Sequence, residues 1–97
     1  MNKAYWVIAW QSITDPVAVE RYVAPATDAI LAHGGHVIAA GVPAKAYESG
    51  LSSRLVVVEF DSLDAAVSAY ESADYQATLV HLVGAAERDV RIIEGLA

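Results

Sequence analysis

Cysteine is missing from this chain altogether, which removes disulfides, thiolate nucleophiles and cysteine-based metal sites from consideration. Basic residues are scarce and scattered: six Lys and Arg stand against twelve Asp and Glu, for a net charge of −6. Nucleic-acid binding relies on clustered Lys and Arg that neutralise phosphates, so that class is disfavoured. No apolar run approaches the roughly 20 residues that a membrane-spanning helix needs, because charged or turn residues interrupt every stretch. Nor does a small-residue cleavage site follow Met1-Asn2-Lys3, which lead straight into a patterned strand. Gly-rich phosphate loops and nucleophile elbows are absent too. The expectation is a soluble, cytoplasmic protein with neither nucleic acid nor membrane as partner.

Apolar side chain, by contrast, is plentiful. Of the 97 residues, 56% are AVILMFWYC. A chain of this length makes one domain, spanning 1–97, and at that size much of its core surface faces water unless another layer covers it. The excess of apolar residues therefore needs a sink, and an exposed sheet face is the natural one.

A short unit occurs twice along the chain. The first copy is the alternating run Ala4 to Trp10, then Thr14-Asp15-Pro16, a helical pattern to His33, the Gly34-Gly35 pair and the apolar run His36 to Ala40. The second is Arg54 to Phe60, then Asp61-Ser62, helical patterns through Ala86, and a closing run Asp89 to Glu94. Two strand-helix-strand units in this order predict a ferredoxin-like β-α-β-β-α-β fold of the α+β class.

Local signals place the ends of the elements. Asp15 suits an N-cap and Pro16 the first helical position. Val19, Tyr22, Val23, Ala26 and Ile30 recur at helical spacing, Pro25 within them predicts a kink or break, and the Gly pair predicts the stop. Ser62 is a second N-cap, and Ser72 restarts the signal, so two helical pieces with a joint near residues 72–74 are expected. Residues 41–53, with Pro43, Gly50 and several serines, read as a wide hairpin loop.

Strand alternation sends Tyr5, Val7 and Ala9 to one face and Trp6, Ile8 and Trp10 to the other, and both sets are apolar. Helices cover one face of such a sheet, so the second apolar set calls for another protein layer, and a homodimer made sheet to sheet is expected. The interface would bury the face of Trp6, Ile8 and Trp10 or its opposite, and the two tryptophans suit the core of that interface or, as a second account, the stacking of an aromatic ligand.

Several stretches resemble one family in order along nearly the whole chain: Lys3 to Trp6, Thr14-Asp15-Pro16, Tyr22-Val23, Gly34-Gly35, Arg54, Val57 to Phe60, Ser62, Tyr70, Ser72, Tyr75-Gln76 and Glu94-Gly95. The family is DUF1330, small bacterial proteins within the dimeric α+β barrel superfamily. The resemblance implies a four-stranded antiparallel sheet per subunit, two of which pair into a closed dimeric barrel. Superfamily members include cofactor-free monooxygenases, muconolactone isomerases and haem-binding enzymes, with pockets between sheet and helices. Relatives often carry an Arg where this chain has Leu82, next to His81.

The candidate chemistry is small. Glu59 ends an apolar strand, where a buried carboxylate needs a partner or a shifted pKa, and it is expected on the helix-facing side near a cavity. The plainer account has it hydrogen-bonded to a helix or loop. Alternation puts Arg54 on the opposite face from Glu59, so Arg54 is a candidate for binding a carboxylate of a ligand or of a partner chain. Tyr22, Tyr70, Tyr75 and Gln76 fall on helix faces or at the joint, where they suit either a ligand pocket or the core. His33, His36 and His81 have no metal-ligand spacing, so no metal is expected, and His33 suits the negative end of a helix.

Two classes of function stay open. One is a cofactor-independent enzyme acting on a small aromatic or carboxylic-acid molecule, with Glu59 or His81 moving a proton and Tyr22, Arg54, Tyr70, Tyr75 and Gln76 holding the substrate. The other is a non-catalytic homodimer that binds a small ligand or only assembles.

Overall fold

The structure, a computed structural model, describes residues 2–97; Met1, the first residue of the expected lead-in, lies outside them. Strand β1 (Ala4–Ile13) is followed by helix α1 (Pro16–Ala32), strands β2 (His36–Gly41) and β3 (Leu55–Phe60), helices α2 (Leu63–Glu71) and α3 (Ala73–Thr78), a 3-10 turn (Leu79–Leu82) and strand β4 (Ala86–Glu94). The strands pair antiparallel in the order β2-β3-β1-β4, the ferredoxin-like arrangement that the doubled unit predicts.

The expected closed barrel does not form. The sheet is open, with β2 and β4 as outer strands that each pair on one side only. Closure would require the strands to tilt and shear until the outer two met, and four strands laid against one layer of helices end instead in two free edges.

Caps act where the sequence puts them. The Asp15 carboxylate accepts from the Ala18 amide at 3.2 Å, the Ser62 hydroxyl from Ala65 at 3.1 Å and the Ser72 hydroxyl from Tyr75 at 3.3 Å. Ser72 has extended backbone (φ −64°, ψ 148°), which makes the joint between α2 and α3. Helix α1 runs unbroken through Pro25. Pro25 is exposed, so the carbonyl deprived of its donor can reach water while Tyr22, Ala26, Ala29 and Ile30 stay buried on the opposite side.

Both outer elements of the second half differ from the expected lengths. The helical pattern stops at Thr78 and the 3-10 turn, Gly84 takes a left-handed φ of 71°, and β4 starts at Ala86 rather than at residue 89. Strand β1 continues to Ile13 because a bulge between Trp10 and Ser12 keeps it in register with the longer β4.

Helix packing on the sheet is settled by alternation. Ala4, Trp6, Ile8 and Trp10 are buried beneath the helices with Val58 and Phe60 of β3. Trp6 is the centre of this core: its indole N–H donates to the Ala66 carbonyl at 2.8 Å, and its ring meets Tyr75 and Phe60 at centroid distances of 4.9 and 5.0 Å. The two tryptophans therefore belong to the subunit's own core and not to an interface between subunits. Gly35 allows α1 to return closely over the sheet, since a Cβ there would stand 2.7 Å from both Ile30 and Phe60 side-chain atoms.

Candidate functional site

Four rows of side chains cross the helix-facing side of the sheet. Ala4 stands opposite Phe60 and Glu94, Trp6 opposite Val58 and Ile92, and Ile8 opposite Val56 and Val90. The next row puts a charge beside the buried β1 aromatic. Trp10 stands opposite Arg88 of β4, and on its other side its backbone N–H donates to the carbonyl of Arg54 at 2.9 Å. An arginine thus flanks the indole on each side, at the end of the sheet where β1 and β3 leave the main core.

Helix α1 lays Tyr22 over this row, its ring edge-on to Trp10 with centroids 6.0 Å apart. Helix α3 brings Tyr75 in behind, and the two hydroxyls lie 2.5 Å from one another. Arg88 serves both: its Nη1 donates to the Tyr22 hydroxyl at 3.1 Å and its Nη2 stands 3.5 Å from that of Tyr75. Its guanidinium also lies 5.0 Å from the Trp10 ring centre and 5.1 Å from that of Tyr22, distances at which the ring faces attract a cation.

Burial sets the electrostatics. Desolvation, reinforced by Tyr75 alongside, pushes the Tyr22 hydroxyl far above the ordinary tyrosine range, so it is a neutral donor at physiological pH. Burial works against the charge on Arg88, yet the tyrosine oxygens more than offset it and its pKa is raised. Neither Arg88 nor Arg54 forms an ion pair among the described residues. In a chain with net charge −6, two arginines without carboxylates at one place are a local reversal of sign.

Beside this row lies a cavity of about 180 Å³ lined by Ile8, Trp10, Tyr22, Ala26, Ile30, Val37, Val56 and Val58, with Arg54 and Arg88 as its only charged lining. An apolar cavity of about 150 Å³ holds one benzene ring, so this one takes a body of that size. The Trp10 indole N–H is buried and without a hydrogen-bond partner among the described residues. The arrangement can hold an apolar ring while stabilising negative charge at one end of it.

Of the residues singled out from the sequence, Tyr22, Arg54 and Tyr75 meet here, the first two lining the cavity and Tyr75 bonded to Tyr22. Tyr70 packs against Trp6 and Tyr75 in the adjoining core. Gln76 is exposed, and its amide donates to the Tyr70 carbonyl at 2.6 Å, fastening the joint between α2 and α3.

The two proposed proton carriers lie elsewhere. Glu59 is on the open face of the sheet with Leu55 and Val57, where Lys3 Nζ approaches it to 3.4 Å. The sequence groups these three correctly, but the helices cover the other parity, Val56, Val58 and Phe60, which brings more ring and branched surface to the core. His81, in the 3-10 turn, borders a shallow outer groove between α1 and α3 with Asp74 and Asp28. His33 caps α1 and its ring bonds Asp74 at 2.8 Å. Leu82 is buried in the core. No group of three or more potential metal ligands gathers, and no helix is long and apolar enough to cross a membrane, among the described residues.

The sequence pattern does not single out Arg88. Its signal is parity: Ala86, Val90 and Ile92 pack toward the core, and Arg88 is a charge between them on that same face, whereas Glu94 lies at the strand's end. A closing run that begins at Asp89 leaves it outside the strand.

Comparison with solved structures agrees with this architecture. A protein of unknown function from Rhodopseudomonas palustris, RPA0582, superposes with a TM-score of 0.70 at 14% identity, over 99% of this chain and 84% of that one. A dimeric ferredoxin-like protein of unknown function from Thermobifida fusca YX gives 0.64 at 16% identity, over 97% and 92%. SnoaB, a cofactor-independent oxygenase from Streptomyces nogalater, gives 0.63 at 11%, over 100% and 96%. At such identities the likeness is one of fold. No curated protein matches the sequence. The family model described as a domain of unknown function, DUF1330, matches residues 3–96, and the chain belongs to that family.

Proposed function

We propose that this protein is a cofactor-independent, enzyme-like domain that takes a small molecule with an aromatic body and a carboxylate or equivalent oxyanion into the cavity beneath α1. The observation that carries the reading is Arg88: a half-buried guanidinium that forms no ion pair among the described residues, hydrogen-bonded to two tyrosine hydroxyls beside an apolar cavity of one-ring size. The tyrosine oxygens keep the guanidinium charged, and its paired N–H donors suit a bound anion.

The chemistry such a site supports is stabilisation of negative charge on the bound molecule. Arg88 is a donor already oriented by the fold, held by the Tyr22 and Tyr75 hydroxyls that accept from it, and such orientation is what makes a donor effective on a developing oxyanion. Among the described residues no carboxylate or imidazole lines the cavity, so a proton leaving the bound molecule has the Tyr22 and Thr27 hydroxyls or water to receive it. The oxygenase of the same fold, described as cofactor-independent, supports placing enzyme-like chemistry in such a pocket by analogy of fold alone.

A non-catalytic, homodimeric ligand-binding role is the second reading, and the open sheet face favours its assembly part. Val7, Leu55 and Ile93 are exposed there beside the partly covered Val57, an apolar surface that a second copy would cover.

Titration with benzoate, followed by tryptophan fluorescence, tests the site. Saturable quenching is expected, because Trp10 borders the cavity, and Arg88→Gln is expected to remove it with the fold retained by circular dichroism. Saturable binding that survives Arg88→Gln, or no binding of any aromatic acid, overturns the reading.

A further inference from the structure

We infer that the molecule bound in this cavity carries two acidic groups, and that Arg54 receives the second; the inference rests on the anion-binding reading above. Arg54 and Arg88 line one cavity from opposite sides of Trp10, and the backbone fixes that placement. Trp10 donates to the Arg54 carbonyl at 2.9 Å on one side and faces Arg88 across the β1–β4 ladder on the other. Neighbouring strands lie about 4.8 Å apart, so the two arginines start roughly two strand spacings from each other, with one indole between them.

Their surroundings differ in a way that assigns them separate tasks. Arg88 is held by Tyr22 and Tyr75 and stacked against Trp10 and Tyr22, so its fork is oriented before anything binds. Arg54 lies just before β3, its side chain is exposed, and it makes no side-chain hydrogen bond or ion pair among the described residues. A fixed inner guanidinium and a free outer one across a one-ring cavity fit a ring bearing two acidic substituents, one inward and one at the mouth. A single carboxylate leaves Arg54 with nothing to bind. The chain's net charge of −6 repels a dianion more than a monoanion, so a preference for the dianion has to come from this local pair.

The test compares benzoate with isophthalate, which has the same ring and one further carboxylate, at fixed ionic strength on the full chain. Wild type is expected to bind isophthalate about tenfold more tightly than benzoate, the worth of one charge-assisted hydrogen-bond pair. Arg54→Gln is expected to erase that preference while weakening benzoate by no more than about threefold, and Arg88→Gln to weaken both acids about tenfold or more. Equal wild-type affinity for the two acids, or a preference that survives Arg54→Gln, overturns the inference and leaves the site reading intact. Failure of both acids to bind overturns the two together. Circular dichroism of each variant separates loss of binding from loss of fold.

Discussion

Arg88 holds its guanidinium 5.0 Å from the centre of the Trp10 ring, the residue it faces across the β1–β4 ladder. The pairing puts a permanent charge against the last large aromatic of the helix-facing row, where the three preceding rows are apolar on β1. Two tyrosine hydroxyls then hold the guanidinium from the helix side. What results is a cation fixed by aromatic surface and hydroxyls and left without an anion of its own.

Charge alone is not enough if this geometry matters. Arg88→Lys keeps the charge but replaces a planar fork with a point donor that cannot reach both hydroxyls and a ligand together. Benzoate affinity is expected to fall by about tenfold, as lost charge-assisted hydrogen bonds imply. Calorimetric titration measures it, and full affinity in the Lys variant would contradict the role given to the fork.

Tyr22 gives the stability a pH dependence at the alkaline end. Its folded pKa lies above the ordinary value of 10.0, mainly through burial, so the fold favours the protonated hydroxyl. That contribution is whole below pH 10 and is lost as pH rises from there through the folded value. Tyr22→Phe is expected to cost about 1–2 kcal/mol at neutral pH, because it leaves the buried Tyr75 hydroxyl short of a partner. The gap between wild type and variant in urea unfolding should narrow above pH 10. A gap that widens there would refute the assignment.

Gly35→Ala is expected to destabilise the fold by about 1–3 kcal/mol, since the new methyl meets Ile30 and Phe60 atoms at 2.7 Å and the end of α1 has to lift. Thermal unfolding reads this as a drop of several degrees. An unchanged melting temperature would mean that α1 does not approach β3 so closely.

Glu59→Gln is expected to change stability by less than about 1 kcal/mol, the worth of a partly exposed pair such as the one with Lys3. Benzoate affinity should be unaltered, because the carboxylate lies on the other side of the sheet from the cavity. Loss of binding with the fold intact would return Glu59 to the site.

Sedimentation velocity at low micromolar concentration is expected to find a dimer in wild type. Val57→Lys, on the open face, should shift it to monomer without unfolding it. A monomeric wild type would defeat the assembly proposal.

Much of the fold was legible from the sequence by itself: the order of elements, the caps at Asp15, Ser62 and Ser72, the break between α2 and α3, and the grouping of strand residues into two faces. Each depends on neighbours close in sequence, through cap geometry or a period of two, and such signals survive without knowledge of the partner element. Which face the helices take is a different kind of question. Val57 and Val58 are equally apolar to a pattern, and only packing Trp6, Phe60 and Tyr75 together decides that Val58 is buried and that Glu59 points away. The cavity is likewise a product of tertiary structure, since Arg54, Trp10, Tyr22 and Arg88 come from four segments and meet only through strand register and the crossing of α1. Local chemistry determined the elements; long-range packing decided which of their side chains would share a site.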